Sequence, residues 1–229
     1  MGPDDDPAAG SAHPGRYARA VSRAYVTVVS GAPRSGTSLL MQMLEAGGIP
    51  PLCDAARAAD AGNPRGYYEL EAVKRLPADA GWLERAPGHA VKVVHARVAA
   101  LPAGAVRVPG GASYRVLFME RDLLEVARSQ RTLLERLGHP PADALSDERV
   151  AEIEGHQLRA AAAALDARAD VARLAVSHAR LFQEGEAEVA RIDAFLDGGL
   201  DRAAMLGRID PALHRIRRPG LARGAAARQ

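Results

Sequence analysis

Two short stretches of this chain carry residue types that could hold phosphate. The first, Gly31-Ala-Pro-Arg-Ser-Gly-Thr-Ser38, follows the apolar, β-branched run at 25–30 and precedes helical spacing that begins at Thr37. Glycines between a strand and a helix let the chain turn its backbone N–H groups onto an anion, and the helix N-terminus adds a favourable field. Set against the ATPase pattern G-x-x-x-x-G-K-[ST], both glycines match but Thr37 occupies the lysine position. That lysine reaches the outer phosphates of ATP, so its absence argues against an ordinary nucleotide hydrolase. Arg34 lies inside the loop instead, and its planar, permanently charged fork suits a bridging or leaving oxygen. The bland alternative is a solvated loop with chance glycine spacing, against which the strand-before, helix-after context weighs.

The second stretch is Arg121-Asp-Leu-Leu-Glu-Val-Ala-Arg-Ser129, just after an apolar run at 114–119. Eight helical steps return to within about 80° of the start, so a long arginine and a serine two turns on can converge on one oxyanion. Taken alone, a strand-end arginine more often pairs with a carboxylate, and a mid-helix serine more often bonds its own backbone.

Together the two stretches resemble the donor site of sulfotransferases that use 3′-phosphoadenosine 5′-phosphosulfate (PAPS). The loop resembles that family's 5′-phosphosulfate-binding loop, and the resemblance implies that Arg34, Ser35, Gly36, Thr37 and Ser38 hold the donor's 5′-phosphate. The strand–Arg–helix–Ser arrangement resembles the family's 3′-phosphate site, which implies the same role for Arg121 and Ser129, an adenosine's length away. The implied reaction is in-line transfer of a sulfuryl group to a hydroxyl or amine of a small-molecule, glycan or lipid acceptor. PAPS would be a co-substrate. A sulfuryl group carries less charge than a phosphoryl group, so arginine, hydroxyl and helix-end donors suffice and no metal is expected.

An attacking hydroxyl or amine must lose a proton, so a base should stand near the sulfur. Glu69, closing the segment Asn63-Pro-Arg-Gly-Tyr-Tyr-Glu69, resembles the glutamate base of some bacterial and carbohydrate sulfotransferases. His95 is the rival, at the end of an expected strand over 90–94. It resembles the histidine base of the cytosolic branch, although Lys92 and His95 stand one residue further apart than in that branch's Lys-Thr-His. On the sequence Glu69 ranks slightly ahead of His95, with the choice between them open. Arg217-Arg218-Pro219-Gly220 is at best a loose echo of the segment that closes over the 3′-phosphate in cytosolic members.

To position these residues the chain must alternate strands and helices, and it reads that way. Strands are expected over 25–30, 90–94, 114–119 and 173–177. Helices are expected from Thr37 to the Gly47-Gly48 stop, from Leu123 to Gly138, over 146–169 and over 186–196. Asp122 and Glu125 have the spacing of a capping box at the start of the second helix. The expected fold is an α/β three-layer sandwich around a mostly parallel sheet, P-loop NTPase-like, with ligands at the carboxyl ends of the strands. The expected organisation is a disordered segment at 1–22, a sulfotransferase domain at 23–214 and a basic tail at 215–229.

Composition narrows the alternatives. In 229 residues, 48% hydrophobic and 25% charged, a single sizeable core fits. Three Phe, five Tyr and one Trp are too few for stacking platforms, and a formal charge of +2 is too weak to imply a polyanion, so no nucleic-acid partner is expected. One cysteine and no zinc-ligand spacing fit a reducing compartment. Without a signal-like or membrane-spanning apolar run, the expectation is a cytoplasmic protein with no membrane span. Oligomeric state is not legible. Two other functions compete: a P-loop kinase or nucleotide hydrolase using Mg-ATP or Mg-GTP, with Glu120 as a metal-binding acid, and a non-catalytic nucleotide-binding protein on the same fold.

Overall fold

A strand covered on both faces is largely apolar along its length. Val26–Gly31, strand β1, has no residue that is not buried. It is an inner strand of a four-stranded, all-parallel sheet of order β2-β1-β3-β4, with β2 at Ala90–Lys92, β3 at Tyr114–Glu120 and β4 at Val171–Ser177. The computed structural model describes residues 23–54, 68–104, 108, 111, 113–138 and 145–210. The expected N-terminal segment 1–22 and basic tail 215–229, with Arg217 to Gly220, lie outside the described residues, as do 55–67 and 139–144 of the loops.

Alternation along the strands sorts the core into two layers. Val26, Val28, Tyr114, Val116 and Phe118 meet Leu165 and Trp82 on one face of the sheet. Tyr25, Val29, Leu117 and Met119 meet Leu40, Leu44, Ile192 and Met205 on the other. The helices that supply these partners lie on both faces: α1 (Thr37–Ala46), α2 (His95–Val98), α3 (Leu123–Arg136), α4 (Asp147–Asp166), α5 (His178–Gln183), α6 (Gly185–Phe195) and α7 (Arg202–Leu206). The architecture is therefore α/β, with helices around a parallel sheet. Among the described residues, no helix is long and apolar enough to cross a membrane.

The strand order places the loop. From β1 the chain goes to β2 on one side, then returns past β1 to β3 on the other. Such a reversal opens a crevice at the carboxyl end of the strand where it occurs, here Gly31.

Differences from the expected elements have local causes. β1 and β3 each run one residue further, because Gly31 pairs with Met119 and Glu120 with Ser177. β4 starts at Val171 rather than 173, since Tyr114 on β3 offers it a partner. β2 stops at Lys92, two residues early. Val93 still donates to Val29 O at 2.9 Å, but Val94 caps a new helical turn, so His95 opens α2 instead of ending a strand. Asp122 caps α3 as its spacing predicts, accepting from Leu124 N and Glu125 N at 3.0 and 3.1 Å.

Candidate functional site

The segment between β1 and α1 needs unusual backbone angles. Gly31 and Gly36 have φ of +146° and +110°, and Arg34 has φ of +72°. Side chains rarely tolerate these values, and close neighbours add to the constraint at Gly36. A Cβ there would lie 2.7 Å from Cδ2 of the buried His178, the residue after β4. Gly36→Ala should therefore cost about 2–4 kcal/mol of stability, from backbone strain plus overpacking. Urea unfolding measures it; an unmoved midpoint would contradict this packing.

Gly36 is the N-cap of α1 and offers no side-chain cap. The amides of the first turn of any helix lack intrahelical acceptors, so Thr37 and Ser38 sit where a backbone N–H can serve an anion. Ser35 is 1% exposed, and its hydroxyl oxygen is buried without a hydrogen-bond partner. A ligand or water can complete the bonding of such an atom, as it can for the hydroxyls of Thr27 and Ser30 in β1, which share its condition.

The second stretch folds onto this loop. Arg121 donates through one terminal nitrogen to the carbonyl of Arg34 at 3.1 Å, and through Nε to Glu125 Oε2 at 3.0 Å. The serine two turns on accepts from Arg34: Nε to Ser129 Oγ is 3.2 Å. Ser129 thus faces across to the loop, whereas Thr132 in the next turn bonds its own helix at Arg128 O. The two stretches expected to hold an anion each meet at Arg34, whose backbone touches Arg121 and whose side chain touches Ser129. Both Arg121 and Glu125 are nearly buried, with side-chain exposures of 11 and 12%.

The two candidate bases are placed differently. His95 is 5% exposed, and both ring nitrogens face oxygen: Nδ1 is 3.3 Å from Gly31 O, and Nε2 is 3.0 Å from Gln157 Oε1 and 3.4 Å from Glu154 Oε2. Glu69 lies beyond the β2 edge. Pro51 bridges to Ala90, and Asp54 N then donates to Glu69 O at 2.8 Å, which ties Glu69 to the segment that runs beside β2. Its carboxylate is 29% exposed and stands 3.7 Å from Lys74 Nζ. Its neighbour Tyr68 is no base: burial, with the hydrogen bond to Glu45 at 2.6 Å, drives the phenol well above the usual tyrosine range.

Sequence reasoning missed His178, Gln130, Glu154 and Gln157. His178 had a signal, since it follows a strand run directly and so falls at the ligand end of the sheet. The other three are polar residues on helix faces without any motif. Among the described residues no group of three or more His, Cys, Asp or Glu is arranged to hold a metal ion. The chain matches no family model and no curated protein.

Proposed function

We propose that this chain is a sulfotransferase with a P-loop-like donor site, moving a sulfuryl group from PAPS to a hydroxyl or amine. The observation that carries the reading is the meeting of the two stretches at Arg34, which touches Ser129 through its side chain and Arg121 through its carbonyl. A nucleotide with phosphates on both the 5′ and 3′ positions needs two anion sites within one adenosine, and the closeness of the two strand-to-helix corners, after β1 and after β3, supports that reading.

In the proposed mechanism the amides of 36–38 and the Ser35 hydroxyl bind the 5′-phosphate. Arg121 and Ser129 bind the 3′-phosphate. The acceptor oxygen or nitrogen attacks sulfur as the bond from sulfur to the bridging oxygen breaks; the electron pair goes to the 5′-phosphate, and the acceptor's proton goes to a base. Arg34 neutralises charge on the departing phosphate, a contribution that grows as the bond breaks and so accelerates the step. Glu69 is favoured as the base, because both nitrogens of the buried His95 are already turned to oxygen partners while the Glu69 carboxylate is partly exposed.

The test is group transfer itself. Protein is incubated with an extract of small molecules, glycans and lipids in two arms: sulfur-labelled PAPS with EDTA, and phosphorus-labelled ATP with magnesium. Label moving only in the first arm is the expected result. Label moving only in the second would establish the kinase, and PAP binding without any transfer would favour a non-catalytic nucleotide-binding protein.

A further inference from the structure

Three carbonyls of the glycine loop face outward, each toward a nitrogen of a different side chain. Gly31 O is met by His95 Nδ1 of α2 at 3.3 Å, Pro33 O by Gln130 Nε2 of α3 at 3.2 Å, and Arg34 O by Arg121 at 3.1 Å. Ser35 N takes Ala32 O at 3.1 Å within the loop. A peptide's carbonyl and the amide of the following residue point in opposite directions, so holding Gly31 O and Pro33 O outward sets the aim of Ala32 N and Arg34 N and, with them, the path of the loop that carries the Arg34 side chain.

Two of these three side chains share one further residue. Glu154, on α4, accepts from Gln130 Nε2 through Oε1 at 3.1 Å, and its Oε2 stands 3.4 Å from His95 Nε2. Oε2 is buried and makes no hydrogen bond of good geometry. The carboxylate therefore closes a ring: Gly31, His95, Glu154, Gln130, Pro33. Its contacts lead to the loop through these two side chains, and a buried carboxylate oxygen is costly unless it is paired.

We infer that Glu154 is a positioning residue of the donor site: through Gln130 and His95 it steadies the carbonyls of Pro33 and Gly31, and so the backbone that presents Arg34. The inference deepens the sulfotransferase reading and rests on it for the identity of the anion. Glutamine at 154 can still accept from Gln130 and meet His95, whereas leucine has the size without the hydrogen bonds.

PAP affinity by calorimetry and hydrogen exchange of the amides within 32–35 in ligand-free protein test the inference together. Glu154→Leu is expected to weaken PAP binding about tenfold and speed exchange at 32–35, while Glu154→Gln stays within about threefold of the parent. Gln130→Met cuts one arm of the ring without emptying the position and should speed the same amides, which keeps the test open if Glu154→Leu does not fold. Parental affinity and exchange in both Glu154→Leu and Gln130→Met overturn the inference, as does an equal loss in Glu154→Gln and Glu154→Leu. A parent protein that binds no PAP sinks the sulfotransferase reading alone, and the exchange data still judge the role of Glu154.

Discussion

Arg34→Ala is expected to lower turnover by about 10²–10³-fold while weakening PAP binding by no more than about tenfold. The asymmetry follows from when the guanidinium is needed. Charge builds on the 5′-phosphate as its bond to sulfur breaks, so the interaction is stronger in the transition state than in the bound ground state. The backbone supplies a control for structural damage. Arg34 holds φ of +72°, a conformation that costs a non-glycine residue of order 1 kcal/mol or more and glycine almost nothing. Arg34→Gly should therefore lose as much turnover as Arg34→Ala and yet unfold no earlier than the parent. Single-turnover rates with labelled PAPS, beside urea unfolding, separate the two effects. Full turnover in either variant would remove Arg34 from the mechanism.

Arg121→Ala should act chiefly on donor binding, weakening PAP by about 100-fold with little change for adenosine 5′-monophosphate (AMP), which lacks the 3′-phosphate. It should also cost about 1–3 kcal/mol of stability. Its guanidinium holds the Glu125 carboxylate and the Arg34 carbonyl, and truncation leaves both with one donor fewer. The second effect can be removed without the first. In Arg121→Met/Glu125→Gln no charge is left facing an empty place, so most of the stability should return while PAP affinity does not. Equal losses for PAP and AMP in Arg121→Ala would mean that Arg121 supports the loop and does not read the 3′-phosphate.

What could be read from the sequence is what is local and periodic. The run at 25–30, the two glycines and the helical spacing after Thr37 fix strand, loop and α1, because a buried parallel strand is largely apolar and few residues other than glycine fit the turn. Asp122 and the α3 start were legible for the same reason: a cap acts within three residues. The short helices α2 and α5 were not, since four and six residues hold too little of a 3.6-residue period to register. That is why His95 was expected at a strand end and is found starting a helix. The positions of Arg34, Arg121 and Ser129 were legible as candidates, but their meeting was not. The bond from Arg34 to Ser129 spans 95 residues, and the partners of His95 on α4 lie about sixty residues away. Contacts of that range depend on which strands become neighbours, and a single chain's pattern of apolar residues does not encode strand order.

The most direct measurement is a calorimetric titration of the protein in EDTA with PAP and, separately, with AMP. Two anion sites sharing one adenosine require PAP to bind at least about 100-fold tighter than AMP, with no metal added. Equal affinities for the two nucleotides, or binding that appears only for ATP with magnesium, would contradict the account.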